Sequence, residues 1–289
     1  MKLQRFILLL PLIGAAAIAA ASLYAQDSRH IEYPRTHEKE LRVVVEVSFG
    51  TFTLERGTSD KAAAIDYQES SDFRDKLQMS YDVSDGQGTL RIKLKESMGI
   101  WDDDSDHRNK DRHLSLQITD AIPVSLDIEY GAGKATLDVT GLKIKGMRVS
   151  TGASSVSLEC SQPNSITAQN ISIESGVSKF TAHQLSNLNF RSLKFSGGVG
   201  TYKLDFGGTL HQEADVSVEV GLGSITLDIP KSIPARLLYD DNWLSSFNVD
   251  SDFEKQGNGV YETASFGDTK ERITFHIEAG LGSVKVRRK

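Results

Sequence analysis

The chain has 289 residues, a formal charge of −6, 24 glycines, six prolines and one cysteine. Mild acidity argues against a nucleic-acid partner, and a lone cysteine excludes an intramolecular disulfide framework. With no low-complexity tract, the composition is that of an ordered β protein.

Met1 to Ala25 reads as a targeting segment. Lys2 and Arg5 form a basic start, Phe6 to Ala20 is apolar, and Leu23-Tyr24-Ala25 before Gln26 is an acceptable cleavage site. The expected location is therefore extracytoplasmic, in the periplasm or at the cell surface. The charge-free run from Phe6 to Ala25 also has about the ~20 residues needed to cross a bilayer, so retention as an anchor is the alternative. Pro11, Gly14 and the alanine-rich end favour cleavage, and the lack of a cysteine near the cleavage point argues against a lipoprotein.

Residues 26–39 are polar and read as a flexible lead-in. Residues 40–125 form an N-terminal β region. There Val43, Val45 and Val47 alternate into Ser48-Phe49-Gly50, while Lys61 to Ile65 is either a helical turn or a strand entry. Leu77, Met79, Tyr81 and Val83, then Leu90, Ile92 and Leu94, make a hairpin around Asp85-Gly86-Gln87-Gly88. Trp101 to His113 has the composition of a surface loop. Leu114, Leu116 and Ile118 restart a strand.

Residues 126–289 carry a repeat. Its copies align on a small corner residue at Gly131, Gly152, Gly176, Gly198, Gly221 and Gly280, with a first copy at Ser48. Between Gly131 and Gly221 the period is roughly 22 residues. Inward positions follow each corner: Phe52 and Leu54; Ala135, Leu137 and Val139; Val156, Leu158 and Cys160; Phe180 and Ala182; Tyr202, Leu204 and Phe206; Ile225, Leu227 and Ile229; Val284 and Val286. Thr53, Thr136, Ser157, Thr181, Lys203, Thr226 and Lys285 lie between them and face outward. Two short strands per unit cannot bury an apolar face alone, so the units are expected to stack as an all-β solenoid around one core. Corner glycines are expected to supply a positive φ. An insert at 238–272, with Tyr239, Trp243, Phe247, Phe253 and Tyr261 and a hairpin tip at Gly257-Asn258-Gly259, interrupts the period; its aromatic residues read as core filler.

Two positions before each corner stand Glu46, Glu129, Ser150, Glu174, Ser196, Glu219 and Glu278. These are either an acidic stripe for cations or a basic partner, or solvated carboxylates that accept hydrogen bonds from corner amides; the second reading is preferred. Asp102, Asp104 and Asp106 have the first spacings of a calcium loop, but His107 replaces its glycine and no glutamate closes it. The Gly-x-Gly corners at 131, 221 and 280 lack the third glycine and helix of a phosphate loop. There is no Gly-x-Ser-x-Gly elbow, the seven histidines are scattered, and His276 belongs to the outer face. Cys160 is expected to be a buried hydrophobe. No catalytic, metal or cofactor residues are assigned.

Glu219-Val220-Gly221-Leu222-Gly223-Ser224-Ile225-Thr226-Leu227 and Glu278-Ala279-Gly280-Leu281-Gly282-Ser283-Val284-Lys285-Val286 resemble the toast-rack and LiaF-like C-terminal domains of bacterial envelope proteins, and related adhesin-like domains. The first copy with the 77–94 hairpin resembles the toast-rack N-terminal portion. The resemblance implies a stacked β fold in an extracytoplasmic, non-enzymatic protein. LiaF-type regulators of envelope-stress kinases carry several membrane helices before this domain, and this sequence shows one apolar segment. The function expected is a non-catalytic envelope module that binds or scaffolds an envelope protein, a glycan or itself, with a link to envelope stress. Membrane contact is expected only through an uncleaved N-terminal segment. The alternative is a β-solenoid polysaccharide hydrolase or lyase, which would need carboxylates and basic residues clustered across adjacent coils.

Overall fold

The computed structural model describes residues 26–70, 76–95, 112–240 and 244–289. The targeting segment, Trp101, Asp102, Asp104, Asp106 and Trp243 lie outside them. Each run of period-two alternation is a strand. In chain order these are β1 (Gln26–Pro34), β2 (Glu40–Arg56), β3 (Lys61–Ser70), β4 (Lys76–Ser84), β5 (Gln87–Lys95), β6 (His113–Ile118), β7 (Pro123–Asp138), β8 (Lys143–Glu159), β9 (Ala168–His183), β10 (Phe190–Asp205), β11 (Ala214–Ile229), β12 (Ala235–Tyr239), β13 (Ser245–Val249), β14 (Phe253–Gly257), β15 (Val260–Thr263) and β16 (Ile273–Arg288). One 3-10 turn spans Leu185–Leu188.

The long strands β2, β7, β8, β9, β10, β11 and β16 stack in parallel, in that order. Each passes through its corner residue and so contributes two arms to one coil. Leu54, Leu137, Leu158, Ala182, Leu204, Leu227 and Val286 are register partners from coil to coil, and each is buried. With the first-arm residues Val45, Ile128, Val149, Ile173, Phe195, Val218 and Ile277 they form one continuous apolar cluster. The connecting loops supply the third wall with Leu142, Leu188, Leu210 and Ile233.

Backbone groups turned inward by those loops are met by buried side-chain amides. Asn164 accepts from Ile144 N and donates to Ile144 O and Leu188 O at 3.1, 2.7 and 3.1 Å. One coil on, Asn187 donates to Cys160 O at 2.9 Å and accepts from Thr209 N at 2.9 Å. Buried peptide groups need such partners, so these loops are fixed parts of the wall.

Both ends of the stack are closed by coils whose two arms are separate strands. At the N-terminal end β5 pairs with the first arm of β2 and β6 with its second. At the C-terminal end β12 and β13 pair with the two arms of β16. Antiparallel strands complete each end: β4 on β5, β3 on β6 with β1 outside it on β3, and the β14–β15 hairpin on β12. Residues 26–39 are therefore not a flexible lead-in: Gln26 to Pro34 pairs along β3, and Ile31 sits opposite Ile65. Lys61 to Ile65 is strand, where four consecutive buried residues, Ala62 to Ile65, are sandwiched rather than half-exposed. The 125/126 division falls inside β7, and residue 238 falls inside β12. The sheet runs without a break across both positions.

The corner glycines are needed for a different reason from the one expected. A Cβ on Gly131 would stand 2.2 Å from Ser48 O, and one on Gly280 2.5 Å from Gly221 O. Close approach of the neighbouring coil excludes a side chain there. The positive φ lies two residues later, as at Gly133 (116°) and Gly282 (143°).

Candidate functional site

Register locks the outer side chains into rows as firmly as the inner ones. Glu46, Glu129, Ser150, Glu174, Ser196, Glu219 and Glu278 are successive partners in one row. At its two ends glutamates are direct neighbours, Glu46 beside Glu129 and Glu219 beside Glu278, so the serine spacing holds only in the middle.

Three of the five carboxylates are offset by cations that share their face of the sheet. Lys93 Nζ lies 2.6 Å from Glu46, Lys194 Nζ 2.8 Å from Glu219 and Arg148 3.9 Å from Glu174. Ser196 Oγ donates to Glu219 at 3.2 Å. The Lys194 hydrogen bond is the main cause holding the Glu219 carboxyl below its ordinary range, and burial opposes it without overturning it. Side-chain cations and a serine hydroxyl, rather than corner amides, are thus the partners seen for this row.

Along the same row runs an open groove of about 860 Å³ lined by Ser150, Glu174, Lys194, Ser196, Glu219 and Glu278, with backbone exposed at Gly176, Gly198 and Gly221. Hydroxyls, carboxylates, an ammonium and bare peptide groups in one channel can hydrogen-bond a polyhydroxylated or peptide ligand. Paired carboxylate and cation make a poor general acid, because the cation favours the ionised form. Among the described residues no three His, Cys, Asp or Glu side chains converge on a metal position, and none of the described helices is long and apolar enough to span a membrane.

Other candidate residues resolve as structure. Cys160 is buried, its thiol pushed up to about 12 by burial and then by the Asp138 and Glu159 charges. His276 is exposed on the outer face, as its alternation requires. Tyr239 stacks on Phe247 at 4.1 Å and Phe247 meets Tyr261 at 5.3 Å, which makes these aromatics the packing of the C-terminal closing coil.

Sequence reasoning missed two features. Asp228 is wholly buried between Arg287 (2.6 Å), Lys289 (2.6 Å) and Lys203 (3.7 Å), although alternation alone makes it an outer residue. The second is a row of exposed aliphatic side chains one position after the corner: Val177, Val199, Leu222 and Leu281 are 65, 44, 47 and 51% exposed. The signal for it was the recurring apolar residue after each corner glycine.

Among solved structures the chain is similar to a candidate cell adhesion protein from Clostridium sporogenes, with 18% identity, coverage of 92% of this chain and 100% of that one, and a TM-score of 0.48. It is also similar to a candidate adhesin from Bacteroides fragilis, with 13% identity, 91% and 97% coverage and a TM-score of 0.36. No match is found among curated proteins. The family model for the N-terminal domain of toast_rack, DUF2154, matches residues 23–183 and 164–228. It thus extends past residue 125 into the repeat coils. These matches span more than half of the sequence, and the chain belongs to the toast_rack N-terminal domain family.

Proposed function

We propose that this protein is an exported, non-catalytic module of the cell envelope that binds an envelope glycan or protein through the groove along its glutamate and serine row. The supporting observation is the row itself: seven coils present hydroxyl or carboxylate groups at a fixed repeat of about 4.8 Å, a pattern suited to a repeating polymer. Extracytoplasmic location is part of the proposal and rests on the reading of Met1 to Ala25. A link to envelope stress belongs to the same proposal.

Incubation with cell-wall and capsular polysaccharides tests it. Retention of one polymer class that weakens in Glu174→Gln and Ser196→Ala, without new reducing ends or unsaturated products, is the expected outcome. Turnover that disappears in Glu174→Gln or Glu219→Gln would establish the hydrolase or lyase alternative instead.

A further inference from the structure

The geometry points to a second surface, the aliphatic row after the corners, as a membrane-contact edge that lies on a bilayer bearing anionic headgroups. Phe49, Ala132, Ala153, Val177, Val199, Leu222 and Leu281 occupy the same position on seven consecutive coils, and the recorded pairs 49–132, 132–153, 177–199, 199–222 and 222–281 are in register. The Phe49 end is covered by the Arg112 guanidinium, 3.9 Å above its ring. From Val177 to Leu281 the side chains stand open to solvent.

Two observations select a lipid surface. The first is charge. Two positions further along, on two of the seven coils, Lys134 and Lys179 are exposed and have no ion pair among the described residues, whereas on the other flank Glu46, Glu174 and Glu219 are each paired with a cation. Aliphatic groups flanked by uncompensated ammonium groups match an acyl boundary beneath anionic headgroups. The second is area. The exposed part of the row, one side chain wide and roughly 14 Å long over four coils, offers on the order of 150 Å², against roughly 800 Å² per partner in a standard protein interface. A second copy of the chain is thus a poor fit, while a straight edge suits a planar surface. The inference does not depend on the polymer-binding groove.

The test uses the full chain with an environment-sensitive fluorophore on Val199→Cys, or on Ser192→Cys at the exposed first arm of the same strand; the native Cys160 thiol is buried and unreactive. Vesicles of phosphatidylethanolamine with phosphatidylglycerol should shift the Val199→Cys label to the blue and expose it to lipid-borne quenchers, leaving the Ser192→Cys label unchanged. Phosphatidylcholine vesicles should give a much weaker response. Adding Lys134→Gln and Lys179→Gln should weaken binding by roughly twenty-five-fold, a factor of five per lysine. No shift with either lipid, equal shifts at both labels, or a blue shift that grows with protein concentration in the absence of vesicles would each overturn the inference; the last would assign the edge to a second copy.

Discussion

At a repeat corner the distance to the next coil decides which residue can stand there. Gly131→Ala would place a methyl group 2.2 Å from Ser48 O, whereas Gly257→Ala meets nothing within 4 Å. Gly131→Ala is expected to cost about 1–3 kcal/mol through forced separation of two coils, and Gly257→Ala close to nothing. Urea unfolding of the two variants checks this, and equal midpoints would contradict it. Asp228 is the other residue whose behaviour follows from its surroundings. Burial alone would raise its carboxyl, but the hydrogen bonds from Arg287 and Lys289 override burial and hold it below the ordinary value. A depressed folded value means that its contribution is complete above the unfolded carboxylate range near ~3.9 and is lost as pH falls through the folded value. Wild type should therefore lose stability over that acid window. Asp228→Asn should lose less there, which thermal melts at stepped pH would show.

The strand pair is the element that alternation controls. Leu227 is buried against Leu204 and Val286, while Thr226 is partly exposed between Lys203 and Lys285. Leu227→Asp should unfold the stack, because an unpaired charge would enter the core, and Thr226→Asp should melt close to wild type. Similar melting temperatures for the two would refute the inward and outward assignment. The loops belong to the same scale. Asn187→Ala leaves Cys160 O and Thr209 N without partners and should cost about 1–3 kcal/mol, measurable as a shift in the denaturant midpoint.

For the whole molecule, the ends of the stack matter as much as its middle. A solenoid coil left uncovered presents unpaired backbone along both arms, which is a template for pairing with another chain. Here β12 and β13 cover β16, and the Tyr239–Phe247 stack joins the two. Phe247→Ala should loosen that closure. The expected result is faster amide exchange in β13 and a tendency to self-associate, read by exchange mass spectrometry and size exclusion. Unchanged exchange would show that the closing coil holds without its aromatic stack.

Period-two alternation and a corner phrase recurring every twenty-odd residues were enough to determine the all-β stack, the inward row from Leu54 to Val286 and the burial of Cys160. Those patterns record local, repeated geometry, in which a side chain's facing depends only on its place in the strand. What only the tertiary structure decided depends on groups far apart in sequence. The split closing coils arise because β5 with β6, and β12 with β13, meet on the flanks of other strands, and β1 is held in place by β3. Cations brought from other strands offset the glutamate row, and Asp228 is buried because residues 59 and 61 positions later close over it. The aliphatic edge was written in the residue after each corner, but its exposure from Val177 to Leu281 emerged only when the coils set those residues in one line.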